Sequence, residues 1–211
     1  MDFEFYETPK AFTRWLFDEV QIHGRILEPC AGSGAIIAAA NTGSYPHDLT
    51  WTTNDLDSRW MANEHLDASH DALWRKIGMI DWTVSNPPFT PAIEIITQAL
   101  EWSRIGVAMH LRASIHEVLK TGVRRTWMAQ HPPTGILWLP RFAYQRSKTT
   151  GKWTTDSVCA CWVVWLKDPN AAQFIRYAPE SVIDALDAET PAYRRRMDML
   201  MANYKSSEIA V

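Results

Sequence analysis

Apolar positions along the chain recur in two alternating rhythms, one of period near 3.6 and one of period 2. After Thr8 and Pro9, TPKAFTRWLFDEVQI places Phe12, Trp15, Leu16, Val20 and Ile22 at the spacing of an amphipathic helix with an N-cap and a first-turn proline. GRILEPCAGSGAIIAAANTG then reads as a short buried strand, a glycine turn and an alanine-rich helix closing at Gly43. The β-branched alternation of DLTWTTNDLD predicts a second strand, SRWMANEH a short helix, and LDASHDAL a weak strand or turn. MIDWTVSNPPF predicts another strand, PAIEIITQALEWSR a helix carried by Ile93, Ile96, Ala99 and Leu100, and IGVAMHL a further strand. TGILWLPRFAY and SVCACWVVWL form a last strand pair joined by the polar QRSKTTGKWTTD, and residues 168–211 read as a helical or partly ordered tail.

Strands that alternate with helices imply an α/β fold with a mostly parallel sheet, helices on both faces and an antiparallel C-terminal strand pair. A chain of 211 residues supports one substantial core, so residues 1–211 are expected to form a single domain. In such sheets ligands sit outside the carboxyl ends of the strands, which singles out the residues following each one.

The first of these places is EPCAGSG, where Gly32 and Gly34 let backbone approach a ligand and the next helix offers free amides. A dinucleotide fingerprint would require a third glycine where this chain has Ile37, which argues against nicotinamide or flavin. A turn of this kind is also a common structural device. At the end of the next strand, Asp55 in TNDLD stands where an acid accepts hydrogen bonds from ribose hydroxyls, so the pair points to a nucleoside-bearing cofactor.

The third place is SNPPFTP. A residue before proline is pushed out of the helical region, so Asn86 and Pro87 are held extended, and neither Pro87 nor Pro88 has an N–H to compete for an acceptor. With the Asn86 side-chain oxygen and the Pro87 carbonyl presented together, both hydrogens of a planar NH2 group can be accepted, while Phe89 offers a face for a ring. The alternative is a proline-terminated strand with Asn86 as an ordinary turn residue.

Together these residues resemble the S-adenosylmethionine-dependent amino-methyltransferases of the adenine-N6 type, of the class I, Rossmann-like fold. EPCAGSG is similar to their cofactor motif, NDLD to their ribose-binding acid, NPPF to their catalytic tetrapeptide, and FYETP to the segment closing over the methionine end of the cofactor. The match is best over residues 5 to 115; RFAYQRSKTTGKWTTDSVCACWVVW is similar, less specifically, to late strands of small phage-associated adenine methyltransferases.

The resemblance implies S-adenosyl-L-methionine held by Tyr6, Thr8, Pro9, Glu28, Pro29, Cys30, Ala31, Gly32, Gly34, Asp55, Leu56 and Asn86, with Asp71 accepting from its adenine amino group and Asp67 a neighbouring candidate. It implies catalysis by Asn86, Pro87, Pro88 and Phe89 on the N6 amine of an adenine flipped out of DNA, by direct attack. An RNA adenine methyltransferase, a protein glutamine methyltransferase and a non-catalytic methyltransferase-like subunit stand as alternatives.

Charge sharpens the choice. The formal net charge is -3, yet residues 104–152 hold nine basic side chains against the single acidic Glu117. Within it, Arg112, Arg124, Arg125, Arg141, Arg146, Lys148 and Lys152 are candidate contacts to phosphates or bases, in a substrate-facing region of about residues 104–156. This basic block favours a nucleic acid over a glutamine side chain, and Trp153 or Tyr144 could help hold a duplex. RRRMDM at 194–199 reads as a solvated helix face.

Cys30, Cys159 and Cys161 cannot all pair with one another and fit a reducing cytoplasm, and no apolar run is long enough for a membrane span. His110, His116 and His131 match no ligand spacing, so no metal is expected and surface or supporting roles are assigned to them. Most of the eleven tryptophans are expected in the core.

Overall fold

Seven strands carry the fold: β1 (Gly24–Glu28), β2 (Leu49–Thr53), β3 (Ile80–Ser85), β4 (Ser103–Arg112), β5 (Gly135–Trp138), β6 (Ala160–Leu166) and β7 (Phe174–Tyr177). They form one sheet in the order β2-β1-β3-β4-β6-β5-β7. The first four are mutually parallel, β6 runs against both β4 and β5, and β7 returns parallel to β5. The structure is a computed structural model that describes residues 6–43, 45, 48–116, 123–147, 149–154 and 159–209.

Both faces of the sheet's centre are covered, which is why β3, β4 and β6 are buried along most of their length. Helices α1 (Lys10–Glu19), α2 (Ala35–Asn41) and α6 (Glu180–Ile209) pack on one face, and α3 (Asp71–Ile77), α4 (Ala92–Trp102) and α5 (Val123–Gln130) on the other. Strand β6 shows the consequence of the period-2 pleat: Ala160, Trp162 and Val164 join the first core while Cys161, Val163 and Trp165 join the second. Each fully buried side chain of this size contributes about 1.5–3 kcal/mol of transfer free energy. Trp15, Trp74, Trp82, Trp127, Trp162 and Trp165 are all buried.

Several local expectations are corrected. SRWMANEH is a series of turns bridged by Asn54 and Glu64, because Asn63 Oδ1 accepts from the Thr53 backbone and hydroxyl and Asp57 accepts from the Arg59 backbone. These side chains offer the backbone bonds that compete with a helix. The end of LDASHDAL opens α3 instead of a strand. The tail contains β7 and the long α6, and α5 is an additional helix. Pro9 itself is the N-cap of α1, with no side-chain cap, and its carbonyl accepts from Phe12 N and Thr13 N.

Strand order reverses between β1 and β3, where β1 leads to β2 on one side and β3 to β4 on the other. The loops after Glu28 and Ser85 therefore diverge at a topological switch point and leave a crevice between them. The antiparallel β6 begins at this same edge of the sheet, so Cys159 and Ala160 face the end of β4.

Candidate active site

The crevice is a cleft open to solvent, with about 920 Å³ of free space when the solvent at its mouth is included. Tyr6 and Thr8 line it from the N-terminal segment, Glu28 from the end of β1, and Pro29, Cys30, Ala31 and Gly32 from the loop that follows. Asp55 and Leu56 follow β2, and Asn86 and Pro88 follow β3. Thus most of the residues singled out in the sequence converge on one space.

Geometry explains why the glycine turn is shaped as it is. Gly32 and Gly34 hold φ of 49° and 73°, values that side chains with a Cβ rarely adopt. Asp55 Oδ2 accepts from Gly32 N at 2.7 Å and Oδ1 from Asp57 N at 2.9 Å, tying the turn to the loop after β2. Asn54, fully buried, adds a second tie: its Nδ2 donates to the Pro29 and Leu66 carbonyls and its Oδ1 accepts from Leu66 N. Desolvation raises the Asp55 pKa, opposed by the two backbone donors.

Glu28 is the anomaly of the cleft. It is 1% exposed and its Oε2 has no hydrogen-bond partner among the described residues. Burial, and then the nearby Asp55 carboxylate, raises its pKa well above the ordinary value. A buried carboxyl with an unmet oxygen at the wall of a cleft is a seat for a cationic or hydrogen-bond-donating group of a ligand. Cys30, by contrast, is no anionic nucleophile, since burial and the neighbouring carboxylates push its thiol up.

Asn86 joins this cleft to a second, shallower pocket, lined by Tyr6, Phe89, His110, Arg112, Tyr144 and the start of β6. Asn86 Nδ2 donates to the Tyr6 carbonyl at 2.8 Å and to Thr8 Oγ1 at 3.1 Å, which turns Oδ1 toward His110 at 3.3 Å. Pro87 is buried and lines neither pocket. The Arg112 guanidinium lies over the Phe89 ring at 3.8 Å.

The N-terminal segment is anchored from the far end of the chain. Glu7, 5% exposed, accepts from Ser33 Oγ and from Arg196 Nε, while its carbonyl accepts from Tyr193 OH at 2.9 Å. Glu7, Ser33, Asp57, Trp60 and Asp67 line the cleft without having been singled out for it, Asp67 excepted as a neighbouring candidate. Glu7 and Ser33 lie inside FYETP and EPCAGSG, whereas Trp60 is brought in by turns.

Some expected residues lie elsewhere. Asp71 does not line the cleft: it is exposed in the first turn of α3 and pairs with Arg75 at 2.7 Å, because the helix begins one turn beyond Asp67. Arg141 and Lys152 are exposed, and Arg146 is held by Asp198 through two bonds of 2.7 and 2.8 Å. Arg124 and Arg125 sit on α5 with side chains outside the described residues, and Lys148 lies outside the described residues altogether. Arg104 opens β4 and pairs with Asp81, so it lies a strand length of roughly 26 Å from Arg112. His110 is buried rather than at the surface. Among the described residues no group of three His, Cys, Asp or Glu side chains could hold a metal, and no helix is long and apolar enough to cross a membrane.

No protein-family model and no curated protein sequence matches the chain. Its fold is nonetheless shared with solved structures. The methyltransferase subunit of a type I restriction-modification system from Streptococcus thermophilus matches with TM-score 0.57 and 11% identity over 90% of this chain. This chain spans about half of that subunit, 53% of its length. A Pyrococcus horikoshii protein described as an RNA methyltransferase matches with TM-score 0.54 and 15% identity, over 76% of this chain and 86% of its own. An Agrobacterium tumefaciens protein described as an O-methyltransferase matches with TM-score 0.55 and 15% identity, over 85% and 96%. The fold is that of the class I, Rossmann-like, S-adenosylmethionine-dependent methyltransferases.

Proposed function

We propose that the protein transfers a methyl group from S-adenosyl-L-methionine to the N6 amine of adenine in DNA. The observation that carries this reading is the position of Asn86, whose carboxamide stands on the wall between two cavities with its nitrogen end already satisfied.

The residues of the larger cleft fit the cofactor. The unmet Glu28 oxygen suits an ammonium group, whose charge would restore the ionised carboxylate. Asp55 has lone pairs left for ribose hydroxyls, and Asp67 takes the place assigned from the sequence to Asp71 as an acceptor for an adenine amino group. S-adenosyl-L-methionine supplies, when bound, an electrophilic methyl group.

The smaller pocket suits an aromatic amine. The lone pair of such an amine is delocalised into its ring, so the protein must favour its pyramidal form. Asn86 Oδ1 accepts one amine hydrogen and the Pro87 carbonyl the other, which strengthens as positive charge develops on nitrogen. Phe89 offers a stacking face for a base extruded from the duplex. Asn86 cannot hold a proton, so the proton leaves after transfer. Arg112 at the pocket and the exposed Arg141 and Lys152 supply the cations a phosphate backbone requires.

The test is incubation with methyl-labelled cofactor, mixed DNA and total RNA, followed by digestion to nucleosides. Label is expected in N6-methyldeoxyadenosine. Label confined to RNA nucleosides would establish the RNA alternative, and label confined to protein would remove adenine from the reaction.

A further inference from the structure

The buried wall of the smaller pocket carries a histidine with no part in the reaction as described so far. His110, near the end of β4, is 4% exposed and packs among the rings of Phe12, Tyr144 and Trp162. Its two nitrogens both meet polar atoms: Nδ1 lies 3.3 Å from Asn86 Oδ1, and Nε2 lies 3.1 Å from the Tyr144 hydroxyl. Burial pushes its pKa down to about 3, so the ring is neutral and carries a single N–H.

The direction of every bond in this chain follows from the one group that cannot change role. The Tyr6 carbonyl can only accept, so the NH2 end of Asn86 faces it and the oxygen end faces His110. A carboxamide oxygen has no hydrogen, so His110 Nδ1 donates to it; the bare Nε2 then accepts from Tyr144 OH. Tyr144 is itself fixed, with its backbone carbonyl accepting from Tyr193 OH at 3.0 Å and its ring edge-on to Phe142.

We propose that His110, as the Nδ1–H tautomer held by Tyr144, is a positioning residue that locks the Asn86 carboxamide and presents the remaining lone pair of Oδ1 to the acceptor amine. The proposal rests on the reading of Asn86 as the amine acceptor. The carboxamide torsion is soft in an unrestrained asparagine, and bonds at both ends remove that freedom before the reaction begins. An acceptor already in place costs no reorganisation in the transition state. A histidine serving only to fill the core would leave the oxygen end of Asn86 indifferent to its replacement.

Two measurements test this. Long-range proton–nitrogen NMR on protein labelled with 15N-histidine, without cofactor or DNA, is expected to show His110 as the Nδ1–H tautomer. An Nε2–H tautomer or an imidazolium overturns the proposal, whatever the protein methylates. In single-turnover methylation of adenine DNA, His110→Phe is expected to slow transfer at least about tenfold with S-adenosylhomocysteine affinity within about threefold, and Tyr144→Phe to act in the same direction with a smaller loss. His110→Asn, which retains a donor, is expected to recover part of the rate. Unchanged single-turnover rates in both His110→Phe and Tyr144→Phe, each folded by near-UV circular dichroism, overturn the proposal. If the wild-type protein shows the expected tautomer but methylates no adenine, the assigned reaction fails and the hydrogen-bond chain stands.

Discussion

The Arg112 guanidinium lies 3.8 Å above the ring of Phe89 and 5.9 Å from that of Tyr6, so a cation covers the face on which a flipped base would stack. Cation–aromatic contacts of this kind are worth about 0.5–2 kcal/mol, less than a well-stacked base can return. On the proposed reading, a base entering the pocket would have to displace Arg112 from the ring.

Phe89→Ala is expected to weaken binding of an adenine-containing oligonucleotide by about tenfold, the loss of one base–aromatic stack. Fluorescence anisotropy measures it. Calorimetry with S-adenosylhomocysteine should show little change, because Phe89 lines the smaller pocket and not the larger cleft. Equal oligonucleotide affinity in the variant would place the base elsewhere.

Asn86→Ala is expected to abolish transfer and also to weaken S-adenosylhomocysteine binding by about tenfold. The second effect follows from the two bonds it gives Tyr6 and Thr8, each worth about 1 kcal/mol. Stopped rates with unchanged affinity would separate the catalytic role of Asn86 from its hold on the N-terminal segment.

Glu28 and His110 bend the stability of the fold in opposite directions. The folded state keeps a proton on Glu28 that the unfolded chain releases above its ordinary 4.5, so this contribution is full below that value and is lost as pH rises through the raised one. The unfolded chain binds a proton at His110 that the folded state refuses between about 3 and 6.5, so stability there grows with pH and is complete above 6.5. In urea melts across pH, Glu28→Gln is expected to flatten the decline toward alkaline pH, and His110→Phe to remove part of the acid-side fall. Midpoints of Glu28→Gln parallel to wild type at every pH would mean that the folded carboxyl is not raised.

Substituting Arg141 or Lys152 by alanine is expected to reduce the logarithmic salt slope of DNA binding by about one each. Arg146→Ala should change it less, since Asp198 already neutralises that guanidinium. A slope that ignores all three removes this surface from the interface.

Gly106→Ala is expected to destabilise the fold by about 1–3 kcal/mol, read from the denaturant midpoint. An added Cβ would meet the Trp82 ring at 2.5 Å and the Trp165 carbonyl at 3.0 Å, so the sheet would have to part or the indole move. A midpoint like that of wild type would show the ring to be free to shift.

Much of this was legible in the sequence wherever chemistry and punctuation are local. EPCAGSG, TNDLD and SNPPF each end a strand with a residue type that breaks or turns it, and parallel pairing carries those three ends to one edge of the sheet. Register needs no further information there, because the strands are short and their apolar faces leave little choice.

What escaped notice is held by partners distant in sequence or by competing local bonds. SRWMANEH has helical spacing, but the Asn63 and Glu64 N–H groups, which a helix would claim, donate to the Thr53 carbonyl instead. FIRY is four exposed or half-exposed residues that become β7 only because β5 pairs with them. Asp67 and Asp71 are four positions apart, and only the start of α3 decides which one meets the cleft. His110 gives no sign of its role in IGVAMHL, since its partners Asn86 and Tyr144 are 24 and 34 positions away.

The hold of α6 on Glu7 has a consequence for the order in which the molecule is made. Glu7 waits on Tyr193 and Arg196, which are 186 and 189 positions downstream, whereas the glycine turn and Asp55 meet across only 23. During synthesis the floor of the larger cleft can therefore set early, while its N-terminal wall, met by Ser33 and Asn86, gains its last anchors only when Tyr193 and Arg196 have emerged from the ribosome. A nascent chain carries every residue of the recognisable motifs long before it can close a site around them.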